Sequence, residues 1–329
     1  MTSVTLGVRV ALLREHGTFP QAYSATFQEG LSHFGDERGF VAYKSVGRTS
    51  LVLGDPVAAH ADWADLISRF LAAHPDAGFW QVSREMVQML APRGFFINEM
   101  GPDVRLDLAH YNLVGRKKQN LRSAVNQAAR LGCVTREALL TSVDIKEVAT
   151  LSEEWRRTRT IGGREVSFLN RPLLLADEPD VRKFFMFDET GKIVAFCGFD
   201  PIFERGAVVG YVAEHNRHRP EVASFADFAI KSCAIEIFQA EGKKWLFLGL
   251  APFAYINDWE FLPHKNWLVR RSFVFAYTNT LFNRFVYPLQ GHEAHKRQFR
   301  GVPQQTYYCF NTLPSLPRLI KVLRACNIF

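Results

Sequence analysis

Apolar positions change period several times along the chain, and those changes define the expected elements. After a short N-terminal helix, residues 40–44 and 49–53 read as two strands around a turn containing Gly47, and Gly54, Asp55 and Pro56 end the second. Trp63, Leu66, Ile67 and Phe70 recur at helical spacing and predict an amphipathic helix over 62–73. A short strand at 79–82 and a helix at 84–90 follow, the helix stopped by Pro92 and Gly94. Residues 95–108 read as a strand pair broken at Gly101 and Pro102. From Arg116 to Leu131, an apolar stripe of Leu121, Ala124, Val125 and Ala128 opposes a polar stripe of Lys118, Arg122, Asn126 and Arg130.

The second half is more regular. A helix is predicted over 145–159, then strands over 183–187 and 193–199 joined by a turn at 188–192, and a third strand over 207–212. A long helix starts at Ser224 and ends at Gly242, a residue that tolerates the left-handed position after a helix. Another strand lies at 245–249. Strand, hairpin, strand, helix, strand thus occurs clearly here and more loosely before. That is the order of the GNAT acyltransferase fold, so the expected class is α/β (α+β) with two tandem GNAT-like domains, 1–143 and 144–329. Each would have a mixed central sheet flanked by helices.

Composition supports a packed chain. With 329 residues, 47% hydrophobic and 22% charged, disorder is not the default. A net charge of +7 and a pI near 9.2 favour anionic partners such as RNA or lipid heads, although a charge of this size is ordinary on a soluble surface. Cys133, Cys197, Cys233, Cys309 and Cys326 show no paired spacing, which predicts reduced thiols in the cytoplasm and no structural zinc. Neither a signal peptide nor an apolar run of about 18 residues is read in the chain. A lipid substrate would therefore be met at the membrane surface.

Four segments carry candidate chemistry. The helix from Arg116 to Leu131 offers the basic face of Lys118, Arg122, Asn126 and Arg130 to phosphates, or that face is simply solvated. At the end of the strand before the long helix, Glu214 and Arg217 could hold the ammonium and carbonyl ends of a polar substrate, or form a surface ion pair. Asp227, three residues after Ser224, fits a capping box as well as a catalytic role. In GNAT acetyltransferases this turn is glycine-rich and cradles the coenzyme A pyrophosphate; here residues 215–224 contain Pro220 and no glycine, which argues against an acyl-CoA donor. Gly249 follows the next strand within Leu248 to Phe253. The stretch from Gln290 to Arg300 brings His292, His295, Lys296 and Arg300; no third metal ligand is placed by sequence, so no metal site is expected.

Together and in this order, these segments and Leu51 to Pro56 resemble the C-terminal domain of phosphatidylglycerol lysyltransferases, over roughly residues 27 to 312. The resemblance implies two tandem GNAT domains and transfer of an aminoacyl group from aminoacyl-tRNA to a lipid hydroxyl or another small hydroxyl or amine acceptor. No cofactor is implied beyond the aminoacyl-tRNA co-substrate. The family's helix start matches Gly115, Lys117, Asn120, Leu121, Arg122 and Asn126. Its amino-acid-binding strand end matches Glu214 to Arg217, with Glu in place of Asp, and its following Asp matches Asp227 with a one-residue shift. Its Leu-Gly-x-Ala-Pro stretch matches Leu248 to Pro252, and its last basic stretch matches Gly291, Lys296 and Phe299, with Gln298 where Lys is usual.

On this resemblance Glu214, Asp227 and His215 are the catalytic candidates, with Arg217, Gly249 and Lys296 binding substrate. Lys117, Asn120, Arg122 and Arg300 would meet tRNA or lipid phosphates. The membrane flippase half of many members is not in this chain, so lipid export is not expected. The partners implied are aminoacyl-tRNA and an anionic phospholipid or small-molecule acceptor. The place implied is the cytoplasm, with peripheral contact at the inner face of the cytoplasmic membrane. An acyl-CoA-dependent GNAT enzyme and a non-catalytic RNA- or membrane-binding pair are the rival readings. At the C-terminus, Ser315 and Pro317 suit a helix start, with Leu316, Leu319, Ile320 and Leu323 on one side and Arg318, Lys321 and Arg324 on another. Such a helix would lie on an anionic membrane or pack on the protein.

Overall fold

The computed structural model describes residues 4–158, 164–257, 261–313 and 316–327, and of residues 316–319 only the backbone. Two helices, α1 (Leu6–His16) and α2 (Ala22–Phe27), open the chain. Then come β1 (Ser32–Asp36), β2 (Gly39–Val46), β3 (Thr49–Leu53), β4 (Val57–Ala58), α3 (Trp63–Ala73), β5 (Ala77–Val82), α4 (Arg84–Leu90) and β6 (Phe96–Asp107). The middle of the chain forms α5 (Gln119–Arg130), β7 (Val134–Glu137), α6 (Ile145–Arg157), β8 (Arg182–Phe187), β9 (Ile193–Glu204) and β10 (Ala207–His218). It continues with α7 (Ala226–Ala240) and β11 (Trp245–Leu250). The last elements are α8 (Trp267–Thr278), α9 (Thr280–Phe285), α10 (Leu289–Arg297), β12 (Val302–Phe310) and α11 (Leu316–Ala325).

All strands join one mixed sheet in the order β1-β2-β3-β5-β12-β6-β11-β10-β9-β8-β7, with β4 on β2. One pattern occurs twice: an antiparallel pair (β2–β3, β9–β10), a crossover helix (α3, α7), and a strand returning parallel to the second member (β5 on β3, β11 on β10). The α/β class with a mixed sheet and flanking helices is what the sequence predicts. A cut at 143/144 separates β7 from its partner β8, and β12 from its partners β5 and β6.

Helices cover both faces of the sheet. The apolar stripe of α5 (Leu121, Ala124, Ala128) and the buried side of α7 share a core with Phe184, Phe199, Tyr211 and Leu246. Trp63, Leu66, Ile67 and Phe70 of α3 bury against Val52, Phe79 and Ile97, as their spacing predicts. On the opposite face of the second half, α6 packs Val148 and Leu151 on Phe185 and Phe196.

Several local expectations are corrected. Residues 95–108 form the single strand β6 rather than a broken pair. Gly101 (φ +112°) absorbs the irregularity, where a Cβ would lie 2.3 Å from the Ala251 carbonyl oxygen, and the Pro102 carbonyl accepts from the Ala251 N–H at 2.8 Å. Strand β10 runs six residues beyond Val212, to His218. Helix α7 starts at Ala226 without a side-chain cap, so Asp227 does not serve the capping box. In α11 the contacting side is Val322, Ala325 and Cys326, while Ile320 is exposed and Lys321 donates to the Thr49 hydroxyl at 3.0 Å. This end of α11 therefore packs on the protein. Ser315 and the side chains of Leu316 and Leu319 lie outside the described residues. Strands β1 and β12 are not among the predicted elements.

Candidate active site

The parallel strands β10 and β11 stay paired only from Gly210/Trp245 to Val212/Phe247. Beyond that point β11 shifts register on β6, and β10 acquires a bulge opposite β9, with Glu214 opposite Gly198 but Arg217 opposite Phe196. The extra residue puts Glu214 and Arg217, three apart, on the same face, because a bulge resets the alternation of side chains. His215 takes up the distortion with a left-handed φ of +36°. A cavity of about 110 Å³ lies on this face, lined by Glu214, His215 and Arg217 with Trp155, Glu165 and Arg171, and by Tyr287 and His292.

Of the four arginines that line the cavity, Arg171 and Arg217 are held by close carboxylate partners and Arg156 lies 3.6 Å from Glu165. Arg171, 4% exposed, holds Asp200 through two bonds of 3.0 and 2.6 Å and also pairs with Glu178. Lys183 bonds Glu178 at 3.5 Å and the Ala176 carbonyl at 3.0 Å. Arg217 pairs with Glu165 at 2.6 Å, donates to the Ser152 hydroxyl at 3.4 Å and lies over the Trp155 ring at 4.0 Å. By contrast, the Glu214 carboxylate has no ion pair or hydrogen bond among the described residues. Burial, reinforced by the nearby Asp200 charge, pushes it up to about 8, against the opposing pull of Arg171 and Lys296.

A second cluster lies across the strand ends, toward α7 and α10. Asp227, in the first turn of α7, takes Lys231 at 2.7 Å and His295 on its carboxylate. The Asn216 amide donates to the same carboxylate at 2.8 Å and accepts from Lys231 at 3.2 Å once its oxygen and nitrogen are placed to satisfy both. His295 stacks on Phe228, with ring centroids 4.3 Å apart. Although burial opposes it, the charges of Lys231 and His295 hold Asp227 far below the usual carboxylate range.

Lys296 sits between the two clusters. Its ammonium donates to the Leu250 carbonyl and lies 3.4 Å from where a Cβ on Gly249 would be. With φ of +80°, Gly249 lies at the register shift within β11 and leaves space for this lysine. Burial brings Lys296 down to about 8, although Asp103, Glu214 and Asp227 favour its charge. Asp103 on β6, 2% exposed, is pushed up to about 6 by burial, which outweighs Lys296 and the Gln21 amide.

The structure thus brings Glu214, His215 and Arg217 to one cavity, with Lys296, beside Gly249, near enough for its charge to act on Glu214. Asp227 belongs to the adjoining cluster. His215 lines the cavity, but its Nε2 lies 2.7 Å from the Arg171 carbonyl, and burial with Arg171 and Arg217 nearby depresses its basicity. The phosphate candidates separate. Lys117 and Arg300 are exposed, and Asn120 donates to Gln298 at 3.0 Å. Arg122 is turned inward onto the Leu113 and Gly115 carbonyls at 2.5 and 2.8 Å, and so braces the loop ahead of α5. Lys118 does the same through the Asn112 carbonyl at 2.5 Å and the Tyr111 ring. His292 stacks on Tyr287 while His295 meets Asp227. No group of three potential metal ligands occurs among the described residues.

Sequence reasoning misses Arg171, Asp200, Asp103, Lys231 and Glu165. A signal exists for two of them: Asp200 is a lone carboxylate in the apolar run from Ile193 to Phe203, and Lys231 is a lone cation on the buried side of α7.

Residues 10–310 match the model of the family described as phosphatidylglycerol lysyltransferase, C-terminal. An uncharacterized protein of Corynebacterium glutamicum is 23% identical over 307 residues, covering 89% of this chain and 37% of its own length. A phosphatidylglycerol lysyltransferase of Bacillus subtilis is 23% identical over 296 residues, covering 85% of this chain and 32% of its own. The chain spans about a third of the length of these relatives. The structure of L-PGS from Bacillus licheniformis superposes with a TM-score of 0.77 at 18% identity, covering 98% of each chain.

Proposed function

Because the chain belongs to the phosphatidylglycerol lysyltransferase C-terminal family, we propose that it transfers an aminoacyl group from aminoacyl-tRNA to a hydroxyl of an anionic lipid head group such as phosphatidylglycerol. The observation that carries this reading is Glu214, a cavity carboxylate with no bonded cation, while Arg171 and Arg217 beside it are already held by Asp200, Glu178 and Glu165. A buried carboxylate in that condition is a receptor for a positive group. The ammonium of an aminoacyl ester supplies one, and Arg217, fixed by Glu165 and Trp155, orients the polar atoms beside it.

The chemistry asks little beyond positioning. The acceptor hydroxyl oxygen attacks the ester carbonyl, a new ester C–O bond forms, and the bond to the tRNA ribose oxygen breaks. The hydroxyl proton ends on that ribose oxygen, so no net charge develops. Holding both reactants in one cleft removes most of the entropic barrier. Lys296, brought to about 8 and placed at the opening between β10 and β11, is the group best poised to pass the proton. Asp227 is too strongly ionised to accept it and His215 too firmly held; their part in this reading is to fix α7 and the β10 bulge. The first turn of α7 already carries the buried Asp227 charge, which disfavours a pyrophosphate there and hence coenzyme A.

The test is incubation with charged tRNA and phosphatidylglycerol vesicles, followed by mass spectrometry of the lipids. A lipid heavier by one aminoacyl residue, dependent on both substrates, is expected. Product formed from acetyl-CoA instead, or no product from any charged tRNA, would overturn the reading.

A further inference from the structure

Helices α8 and α9, which precede the cavity-lining Tyr287 and His292 in the chain, carry an unusual surface. Helix α8 shows one face to solvent, with Trp267 62%, Leu268 47% and Phe275 61% exposed, while Val269 and Ala276 bury on the other side. Helix α9 exposes Leu281 at 66% and Phe285 at 61%. Asn283 donates to the Ala276, Tyr277 and Asn279 carbonyls at 3.1, 2.9 and 2.9 Å and locks the corner between the two helices. These apolar side chains are therefore held out on a braced frame.

Charge identifies the occupant. From Phe261 to His292 the sequence contains no Asp or Glu, while Lys265, Arg270, Arg271 and Arg284 lie within it. Arg271 lies 5.7 Å from the Trp267 ring and Arg284 5.2 Å from the Phe285 ring, so cation and aromatic ring are presented together. A second copy docked here would set these arginines against one another. A bilayer with anionic heads accepts both features, the rings at the head-group level and the guanidiniums among the phosphates. The same segment continues into Tyr287 and His292, which line the cavity holding Glu214.

We infer that the exposed face of α8 and α9 docks on an anionic bilayer and brings the cavity mouth to the lipid surface, resting on the reading above in which the acceptor is a membrane lipid. This site is distinct from α11, whose described end packs on the protein.

The experiment uses the full chain with phosphatidylcholine vesicles, with and without phosphatidylglycerol, and with short-chain phosphatidylglycerol dispersed below its micelle concentration as a soluble acceptor. The double variants are Trp267→Ser with Phe275→Ser, and Arg271→Gln with Arg284→Gln, all at exposed positions whose fold is checked by circular dichroism. The expected result is co-sedimentation of wild type only with the anionic vesicles and a loss of about tenfold or more in partitioning for each variant. Transfer to vesicle lipid would fall with it, and transfer to the soluble acceptor would hold. Wild type that ignores anionic vesicles, or variants that partition as wild type does, overturn the inference. So does a variant that merely converts a dimer to a monomer. Vesicle binding through this face without turnover on either acceptor would sink the transferase reading and leave the docking surface standing.

Discussion

Replacing Glu214 by Gln is expected to stabilise the fold while abolishing transfer. An ordinary Glu carboxyl ionises near 4.5, but in the folded chain burial raises Glu214 to about 8. Between these values the folded state keeps a proton that the unfolded state releases, so stability falls as pH rises through that window and is flat on either side. At pH 7 the window crossed is 7 − 4.5 = 2.5 units, which at about 1.4 kcal/mol per unit gives roughly 3.5 kcal/mol as an upper bound. Asp200, Arg171 and Lys296 share the shift and readjust when Glu214 is removed, so about 1–3 kcal/mol is the expected gain in the Gln variant. Urea unfolding of both proteins at pH 4.5, 7 and 8.5 checks this. The two midpoints should nearly coincide at the lowest pH, and the variant should lead at pH 7 and hold its lead above pH 8. Loss of the ammonium's charged partner should remove transfer in the same protein. Coincident midpoints at every pH, or a variant weaker at pH 7, would mean that Glu214 is already compensated and that the cavity does not await a cation.

Three further outcomes follow from the geometry. Gly249→Ala forces a side chain into a left-handed position against Lys296, and should cost about 1–2 kcal/mol in chemical denaturation and slow transfer more than a nearby surface Ala substitution does. Lys231→Met strips Asp227 of its best cation and should cost roughly 3–5 kcal/mol by calorimetry, with Asp227→Asn in the same chain recovering part of the loss. Lys117→Ala and Arg300→Ala should each reduce the salt slope of tRNA binding by about one and leave the melting temperature unchanged, whereas Arg122→Ala should instead lower thermal stability by freeing the loop ahead of α5.

The helix at 63–73 is legible because one face is buried and its period shows directly, and the hairpins at 39–53 and 182–204 because continuous apolar runs flank polar, glycine-containing turns. The end of β10 is not. Glu214 to His218 are polar in succession and give no strand signal, yet β9 pairs with this stretch and the bulge divides the side chains of Glu214 to Arg217 between two clusters. Lys118 and Arg122 share a polar stripe with Asn126, but a stripe cannot tell a solvated cation from one bent back onto a carbonyl. Glu214 and Arg217 are singled out by their position before the long helix. The partners that give them meaning, Arg171 with Asp200 and Glu165 with Trp155, come from distant segments and meet only through the tertiary fold.

The two middle strands, β12 and β6, couple the order of synthesis to the order of assembly. Strand β12 ends at Phe310 and fills the gap between β5 and β6, both complete by residue 107. An emerging chain must therefore hold an open sheet edge at β5 until Val302–Phe310 has left the ribosome. Native pairing at that edge waits for the C-terminal segment, and the halves cannot be finished one after the other. Release of a chain truncated before Val302 would leave the β5 edge uncovered, with Phe79 and Trp80 beside it, so premature termination should yield aggregates or proteolysis rather than a stable N-terminal fragment.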